Sequence, residues 1–338
     1  MKATAGLRTL SLANQSHLMD HAYSIMSSSG FKCQKTNVRV ITGSEESLYA
    51  YVSLLVAFAS LNKDDSNHVD EFRLDQLSVV DLGGSSKQLA FIIPKNISDS
   101  DKLFCDFHHV FQFPELIGYD SIYADSFIGK GLIAIMESII EKYIQSNCLI
   151  GRMDELCAFD GNSYVLDDIV LTSHPCLSPS SPFPYTFLGR HVNLTGSGDF
   201  DKCINLIRDE LLDLDQFRCI RSLLDNDFKK IIGMDNIPKI LEMLHISSDT
   251  PFSPNSLADI GRITCLKPWE ELLSEFPSHY PSYRAQRSCF GASYIYIIMT
   301  EIFGVDPNKY NQLLPLEEYG RFTLSWPLGA VVLGSLNY

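Results

Sequence analysis

One segment of the chain, residues 80–91, carries side chains that are well suited to chemistry on a phosphate group. An apolar strand ends in Asp81, a Gly83-Gly84 turn follows, and Ser86 and Gln88 lead into a second apolar strand. Because glycine has no side chain, backbone N–H groups at such a turn can approach a phosphate closely. Asp81 could hold a divalent cation or its waters, and Ser86 and Gln88 could hydrogen-bond a water. A plain hairpin with a glycine turn has the same pattern, so both interpretations stay open.

A second segment, residues 39–52, places two carboxylates at the predicted start of a helix. A short β-branched strand breaks at Gly43, and Glu45 and Glu46 follow. A glutamate in this position can act as the general base for a water molecule. Acidic residues also favour helix N-termini through the helix dipole. The pattern alone therefore leaves a purely structural role open for either residue.

Together these segments resemble the signature motifs of the apyrases, or nucleoside triphosphate diphosphohydrolases, a family that includes the Golgi nucleoside diphosphatases. The family pairs Thr-Gly-x-Glu-Glu-Gly with Asp-Leu-Gly-Gly-x-Ser-x-Gln. Here Ser47 replaces the last glycine of the first motif, and Lys87 replaces the usual threonine of the second. The other segments that match the family, in the same order along the chain, are residues 3–8, 195–203, 288–295 and 325–330. The resemblance therefore covers almost the whole chain.

The resemblance implies metal-dependent hydrolysis of the terminal phosphates of nucleoside tri- or diphosphates, with Ca²⁺ or Mg²⁺ as the cofactor. The family opens with a phosphate loop, Asp-x-Gly-Ser-x-Gly-x-Arg, upstream of the segment that begins here at Ala3. Met1 stands almost directly before that segment. We therefore expect an N-terminally truncated member of the family. The alternative is a catalytically inactive relic or truncated gene product that keeps the fold as a binding or structural protein.

The resemblance also implies roles for individual residues. Glu46 would be the general base, with Glu45 as the fallback, and Asp81 would hold the cation through waters. Ser86 and Gln88 would position the attacking water. The residues that would bind or border the phosphates are Gly83, Gly84, Ser85, Thr4, Gly6 and Arg8.

The nucleobase site is less well matched. Alignment on Cys289 places Arg284 where the family has an arginine at the nucleobase. Ser288 replaces the aromatic residue that normally precedes that cysteine. Arg284 is therefore our candidate for contact with the base.

Nine cysteines are present without a CxxC pair, which argues against a zinc site. The resemblance implies a disulfide between Cys265 and Cys289. It also implies that Cys203 is paired, with Cys148 or Cys176 as its partner. Nine scattered buried thiols are the alternative.

The compartment follows from the same resemblance. Cysteine content and the sequons at Asn14, Asn96 and Asn193 suit the secretory pathway. Residues 1–6 lack the apolar run of a signal peptide. We expect the lumen of the secretory pathway or the extracellular space, on the strength of the resemblance.

Net charge excludes some partners. The 338 residues carry a formal charge of −14, which repels nucleic-acid backbones and anionic membranes. No run of about 18 apolar residues occurs, so we expect no membrane segment in this chain. A nucleoside tri- or diphosphate substrate would need a cation and local N–H donors in such a field.

These residues require a scaffold in which strands and helices alternate, which predicts the α/β class. The apolar periodicity predicts helices over residues 3–29, 45–61, 120–146, 201–232, 237–245, 255–260, 267–276 and 291–303. It predicts strands over residues 38–42, 77–82, 88–93 and 104–112, and prolines predict a loop over residues 173–186. The resemblance implies the actin-like ATPase (ribonuclease H-like) two-lobed fold with an incomplete first lobe. Lobe I would be a remnant of residues 1–41 plus 322–338, and lobe II would be residues 42–321.

Overall fold

The computed structural model describes residues 1–61, 76–93, 110–111, 121–149, 169–211, 220–221, 230–247 and 250–335. By Cα proximity the chain divides into two compact units. The first contains Met1–Gly131, Asn226–Asn236 and Leu316–Tyr338, and the second contains Leu132–Asp225 and Ile237–Pro315. These units are not drawn along the boundaries of the two lobes expected from the family, and the lobe assignment stays a prediction.

Helices and strands alternate along the chain, as the sequence predicts. The helices are α1 (Ala5–Arg8), α2 (Leu12–Ser28), α3 (Gly43–Leu61), α4 (Leu132–Leu149), α5 (Phe200–Glu210), α6 (Asn236–Met243), α7 (Pro254–Leu266), α8 (Trp269–Glu275), α9 (Ser288–Ile297) and α10 (Trp326–Ser335). The strands are β1 (Lys2–Ala3), β2 (Arg39–Val40), β3 (Leu77–Leu82), β4 (Ser86–Ile92), β5 (Val110–Phe111), β6 (Ile122–Ile128), β7 (Ile169–Pro179), β8 (Phe183–Phe187), β9 (Arg190–Gly196), β10 (Lys230–Asp235), β11 (Leu313–Pro315), β12 (Glu318–Tyr319) and β13 (Phe322–Thr323). Within the described ranges, no helix has the length and apolar character needed to cross a bilayer.

In the first unit, five neighbouring strands of a mixed sheet lie in the order β10-β3-β4-β6-β5. β10 runs parallel to β3, and the other neighbours pair antiparallel. Every residue of β3 and β4 is buried, as expected for strands covered on both faces. α3 packs against β3, β4 and β6 and against α10. A Cβ on Gly329 of α10 would overlap the carbonyl of Tyr49, so glycine permits this close helix approach.

The second unit contains a three-stranded sheet in the order β7-β9-β8, with α5, α7 and α9 packed together. A disulfide joins Cys265 of α7 to Cys289 of α9, the pair that the resemblance implied. A second disulfide joins Cys176 of β7 to Cys203 of α5, so Cys176 is the partner of Cys203. The two bonds thus link α7 to α9 and α5 to β7.

The predicted helix over residues 120–146 is wrong in its first part, where Ile122–Ile128 forms β6. The helical spacing of apolar residues in α4 happens to include Ile128 as well. This pattern therefore predicted a helix where the chain forms a strand. Gly129, with φ of 75°, ends the strand, and Leu132 begins α4. The predicted strand at 104–112 lies outside the described residues except for β5.

The predicted loop over residues 173–186 is also wrong, because most of it forms β7 and β8. Both strands lie at the edges of their sheet, where a proline need not donate a ladder hydrogen bond. Of the helix predicted over 201–232, the structure has α5 up to Glu210 and helical residues at 220–221, and residues 230–232 belong to β10 instead. Residues 212–219 and 222–229 of this prediction lie outside the described residues. The helix predicted over 3–29 is interrupted before Ser11, whose hydroxyl caps α2. The remaining predicted helices and strands match within a few residues, although the helix predicted to start at 255–260 extends to Leu266.

Candidate active site

The turn between β3 and β4 packs against the backbone of the residues that directly follow β6. The N–H of Gly129 donates to the carbonyl of Ser85 at 2.9 Å. A Cβ on Gly131 would overlap the backbone of Gly84, so the two segments are in direct backbone contact. A Cβ on Gly83 would lie 3.0 Å from the carbonyl of Ser86. Glycines on both sides therefore allow this tight packing, and the turn is fixed in place.

Three polar side chains form a row across the sheet on one face. Asp81 of β3 is paired with Gln88 of β4, and Gln88 is paired with Ser126 of β6. Directly opposite residues in an antiparallel pair project to the same face and are close neighbours. Nε2 of Gln88 donates to Oγ of Ser86 at 2.5 Å and to Oγ of Ser126 at 3.1 Å.

Lys87 projects to the opposite face of β4, since successive side chains of a strand alternate. It is only 1% exposed, and Nζ lies 5.5 Å from the centre of the Phe127 ring. Burial, and then the charge of Lys130, lower the pKa of Lys87 to about 7. The lysine that replaces the family's threonine is therefore a buried group on the far side of the sheet from Gln88.

Glu45 is held in a structural role at the start of α3. Its Oε2 accepts from the N–H of Thr42 at 2.8 Å, and its own N–H donates to Oγ1 of Thr42 at 3.1 Å. This reciprocal pair is a capping box. Nη1 of Arg39 donates to Oε2 of Glu45 at 2.9 Å, and Nη2 donates to Oε1 at 2.5 Å. The Arg39 hydrogen bonds, followed by that from Thr42, lower the pKa of Glu45 to about 2 despite partial burial.

The side chain of Glu45 also faces away from the polar row. With Arg39, Tyr49 and Trp326 it lines a cavity of about 780 Å³. Among the described residues, those that line this cavity include neither Glu46 nor the side chains of β4. Trp326 thus lies in the wall of this separate cavity.

Glu46 lies on the other side of the same helix turn, beside Arg8. It is 6% exposed, and its Oε2 lies 2.8 Å from Nη2 of Arg8. Arg8 Nη2 also donates to Oγ of Ser86 at 3.4 Å, and Nη1 donates to the carbonyl of Ile41 at 3.2 Å. Burial raises the pKa of Glu46, Arg8 opposes that effect, and the charge of Asp235 adds to it. Arg8 therefore connects Glu46 to the strand that carries Gln88.

Ser47, which replaces the family's glycine, locks α3 to the sheet. Its Oγ donates to the carbonyl of Leu89 at 2.6 Å, and the residue is 1% exposed. Glu46 directly precedes Ser47 in α3, and Gln88 directly precedes Leu89 in β4. The replacement therefore fixes the spacing between these two side chains.

Asp81 and Asp235 lie at the ends of neighbouring parallel strands. Asp81 is paired with Met234, so Asp235 lies one residue beyond it along β10. Nδ2 of Asn236 donates to the carbonyl of Leu82 at 2.7 Å and holds these strand ends together. No group of three or more His, Cys, Asp or Glu placed to hold a metal occurs in the part of the chain described. Asp81 still fits Ca²⁺ or Mg²⁺, because these ions take oxygen ligands and Mg²⁺ commonly keeps several waters.

The remaining predicted site residues have different surroundings. The carbonyl of Thr4 accepts from Leu7 and Arg8 as α1 begins, and open space lies where a Cβ of Gly6 would be. Arg284 belongs to the second unit, where its guanidinium lies 5.4 Å from the centre of the Tyr280 ring. The structure thus brings Arg8, Glu46, Ser86 and Gln88 together, and the roles of these residues and of Arg284 remain predictions.

Comparison with known proteins identifies the family of this chain. Residues 1–336 match the GDA1/CD39 (nucleoside phosphatase) family. The chain belongs to the GDA1/CD39 family. In this GDA1/CD39 protein the matched segment includes the motif that carries Glu46 and the motif that carries Ser86 and Gln88.

Curated relatives of this GDA1/CD39 protein include probable apyrase 5 of Arabidopsis thaliana, which is 24% identical and matches 99% of this chain and 66% of its own length. Ectonucleoside triphosphate diphosphohydrolase 1 of Rattus norvegicus is 21% identical over 97% of this chain and 64% of its own length. The chain thus spans slightly less than two thirds of these relatives.

Solved structures support the fold. The structure of nucleoside triphosphate hydrolases from Neospora caninum is similar to this chain with a TM-score of 0.63 and 15% sequence identity. The match covers 98% of this chain and 71% of the Neospora chain. An exopolyphosphatase-like protein has a TM-score of 0.50 with 13% identity, over all of this chain and 77% of that one. The GDA1/CD39 protein therefore has the actin-like ATPase fold that the resemblance implied.

Sequence reasoning missed Ser126, Gly131 and Arg39. Ser126 and Gly131 fall in the segment that was predicted to be helical, so their position beside the Gly83-Gly84 turn was hidden. Strand pairing gives the signal in retrospect, because the row that begins at Asp81 and Gln88 must continue onto the next strand. Arg39 stands six residues before Glu45, and only the bend at residues 41–43 brings the two together.

Proposed function

We propose that the protein hydrolyses the terminal phosphate of nucleoside tri- or diphosphates with the help of a divalent cation. The observation that carries the proposal is the cluster of partly buried Arg8 with buried Glu46, Ser86 and Gln88 beside the Gly83-Gly84 turn. A carboxylate of raised pKa, two side chains that can orient a water and a turn of backbone N–H groups are the parts that phosphoryl transfer to water needs.

Glu46 is the general base in this proposal. Its carboxylate accepts a proton from a water as the water oxygen bonds to the terminal phosphorus. The bond from that phosphorus to the bridging oxygen breaks, and the electron pair stays with the shortened nucleotide. The proton held by Glu46 then returns to solvent or to phosphate. Arg8 favours the ionised form of this carboxylate, because its guanidinium opposes the effect of burial on the pKa.

Ser86 and Gln88 orient the water. Both Oγ of Ser86 and Nε2 of Gln88 are held by the hydrogen bonds described above, which leaves the Gln88 carbonyl as an acceptor. Backbone N–H groups of Gly83, Gly84 and Ser85 would donate to the terminal phosphate, and Thr4 and Gly6 would border it. The turn is already fixed by Gly129 and Gly131, so donors at this position would need little rearrangement.

Asp81 would hold the cation through waters. A bound Ca²⁺ or Mg²⁺ would neutralise phosphate charge, which a protein of formal charge −14 otherwise repels. The apyrases that the chain resembles imply such a cation, and the carboxylate of Asp81 stands at the end of β3, next to the turn. Asp81 would therefore supply a carboxylate oxygen to the hydrated cation beside the turn.

Glu46 is favoured over Glu45 by their surroundings. Both carboxylate oxygens of Glu45 accept hydrogen bonds from Arg39, and Oε2 also accepts from the N–H of Thr42. These bonds lower the pKa of Glu45 to about 2. Such a carboxylate is a weak base at neutral pH. Arg284 remains our candidate for the nucleobase on the strength of the family resemblance, and its guanidinium lies 5.4 Å from the centre of the Tyr280 ring.

A secretory or extracellular location fits the two disulfides, because such bonds persist in oxidising compartments. The relatives named as ectonucleoside enzymes support the same location. Expression with an epitope tag, followed by glycosidase treatment, would test it. A mobility shift that is lost in the triple variant Asn14→Gln, Asn96→Gln and Asn193→Gln supports the location, and an unglycosylated cytosolic protein argues against it.

The central experiment is phosphate release from a panel of nucleoside tri- and diphosphates with Ca²⁺, Mg²⁺ or EDTA. We expect release that needs a cation and is lost in Glu46→Gln. Ser78→Ala is the control, because Ser78 is a buried serine of the same sheet outside the cluster. Absence of release from every nucleotide in the wild-type protein would favour the alternative, a non-catalytic member that keeps the fold.

A further inference from the structure

The side-chain amide of Gln88 lies between two hydroxyl groups. Nε2 donates to Oγ of Ser86 at 2.5 Å and to Oγ of Ser126 at 3.1 Å. Ser126 stands directly opposite Gln88 on β6, so the second bond runs straight across the sheet. An amide nitrogen has two N–H bonds, and both have an acceptor here.

This arrangement determines which way the amide faces. With both N–H bonds used, the carbonyl Oε1 is left as the open acceptor of the side chain. Ser86 also receives a bond from Nη2 of Arg8, so it is an acceptor towards both neighbours. In the flipped arrangement both hydroxyls would have to turn and donate to Oε1. Removal of the Ser126 hydroxyl would therefore take away one of the two hydrogen bonds that hold the observed orientation.

Ser126 also contacts the start of the helix that carries Glu46. A Cβ on Gly43 would lie 2.8 Å from Oγ of Ser126 and would overlap its Cβ. Gly43 is the first residue of α3, and Glu46 follows one turn later. The same serine thus lies against the helix of Glu46 and the side chain of Gln88.

We propose that Ser126 is a positioning residue for hydrolysis, which holds the Gln88 amide so that its carbonyl accepts a hydrogen from the water that Glu46 deprotonates. The proposal deepens the proposed function and rests on it. Ser126 does not react with the substrate. Ser126 influences the reaction rate only through its hydrogen bond with Gln88. Its substitution should therefore matter only when Gln88 is present.

The kinetic test is a double-mutant cycle. Ser126→Ala should lower kcat about 3- to 10-fold, the effect of one neutral hydrogen bond, with KM little changed. In a Gln88→Ala background the same substitution should have almost no further effect. Ser78→Ala should leave kcat unchanged in both backgrounds. An equal loss in both backgrounds, or no loss in either, would overturn the proposal.

A second measurement does not depend on activity. In protein labelled with ¹⁵N-glutamine, the side-chain amide signal of Gln88 is assigned by its absence in Gln88→Glu. Ser126→Ala should shift that signal and speed exchange of one of its two protons with water, and Ser78→Ala should not. An unchanged Gln88 signal would refute the inferred orientation. If the signal moves as expected but the wild-type protein releases no phosphate, the proposed function fails while the role of Ser126 towards Gln88 stands.

Discussion

Nη2 of Arg8 lies 2.8 Å from Oε2 of Glu46, although the two residues come from different helices. Glu46 is buried and Arg8 is partly buried, with side-chain exposures of 8% and 15%. Burial destabilises the carboxylate and the guanidinium stabilises it, so the ionisation of Glu46 depends on Arg8. The two predictions that follow separate this pair from its neighbours.

Glu46→Gln should lower kcat for nucleotide hydrolysis about 10²- to 10⁴-fold, because the variant has no carboxylate to accept the proton. Glu45→Gln should keep most of the activity and instead lower the thermal midpoint, because it weakens the contact with Arg39. Steady-state kinetics and thermal unfolding of both variants test the assignment. A dead Glu45→Gln beside an active Glu46→Gln would move the general base by one residue, and two active variants would contradict the mechanism.

Arg8→Gln should shift the acid limb of the kcat/KM profile to higher pH. The base works only when ionised, and its activity falls as the pH drops through its pKa. Removal of the guanidinium leaves the effects of burial and of Asp235 unopposed, which raises that pKa further. Arg8→Lys keeps the charge and should shift the limb less. An acid limb at the same pH in all three proteins would show that Arg8 does not control the ionisation of Glu46.

The buried Lys87 should make stability rise with pH. Its pKa is about 7 in the folded protein and about 10.5 when exposed, so between these values the unfolded chain binds a proton that the folded chain does not. The free energy of unfolding should therefore increase from about pH 7 towards pH 10. Lys87→Met should lack that increase, whereas the exposed control Lys202→Met should keep it. Urea unfolding at several pH values measures the difference, and parallel curves for Lys87→Met and the wild type would contradict the burial effect.

Loss of the Cys265–Cys289 disulfide should destabilise the protein. The bond closes a loop with a sequence separation of 24, which corresponds to about 3 kcal/mol in the chain-entropy model. The double variant Cys265→Ala plus Cys289→Ala should show that loss in denaturant unfolding. Cys33→Ala is the control, because Cys33 carries a free thiol. Non-reducing peptide mapping that finds both wild-type thiols alkylated would remove the basis of the prediction.

The local parts of the site could be predicted from sequence because they are contiguous. The Gly83-Gly84 turn and the carboxylates at the start of α3 each lie within a few residues of one another, and β3 matches its predicted bounds. The disulfide between Cys265 and Cys289 was available only through the family resemblance. Glu45 and Glu46 could not be separated by pattern, since their different partners, Arg39 and Arg8, are set by tertiary packing.

The rest could not be predicted because the deciding contacts are not local. Ser126 reaches Gln88 only through pairing between β4 and β6, and a helical periodicity concealed β6. The prolines of β7 and β8 signalled a loop, and their place at sheet edges is a property of the assembled sheet. In each case the sequence pattern was ambiguous, and the neighbouring strand resolved it.

The parallel pairing of β10 with β3 has a consequence for synthesis. The Asn236–Leu82 hydrogen bond at the end of this pairing spans a sequence separation of 154 residues. At typical translation rates the ribosome needs on the order of 10–30 s to make that length of chain. During this interval β3 has emerged without the strand that covers its edge, and such an edge can pair with another nascent chain. Slower elongation before residue 230 should therefore favour aggregation, and a chaperone present during that window should favour the native sheet.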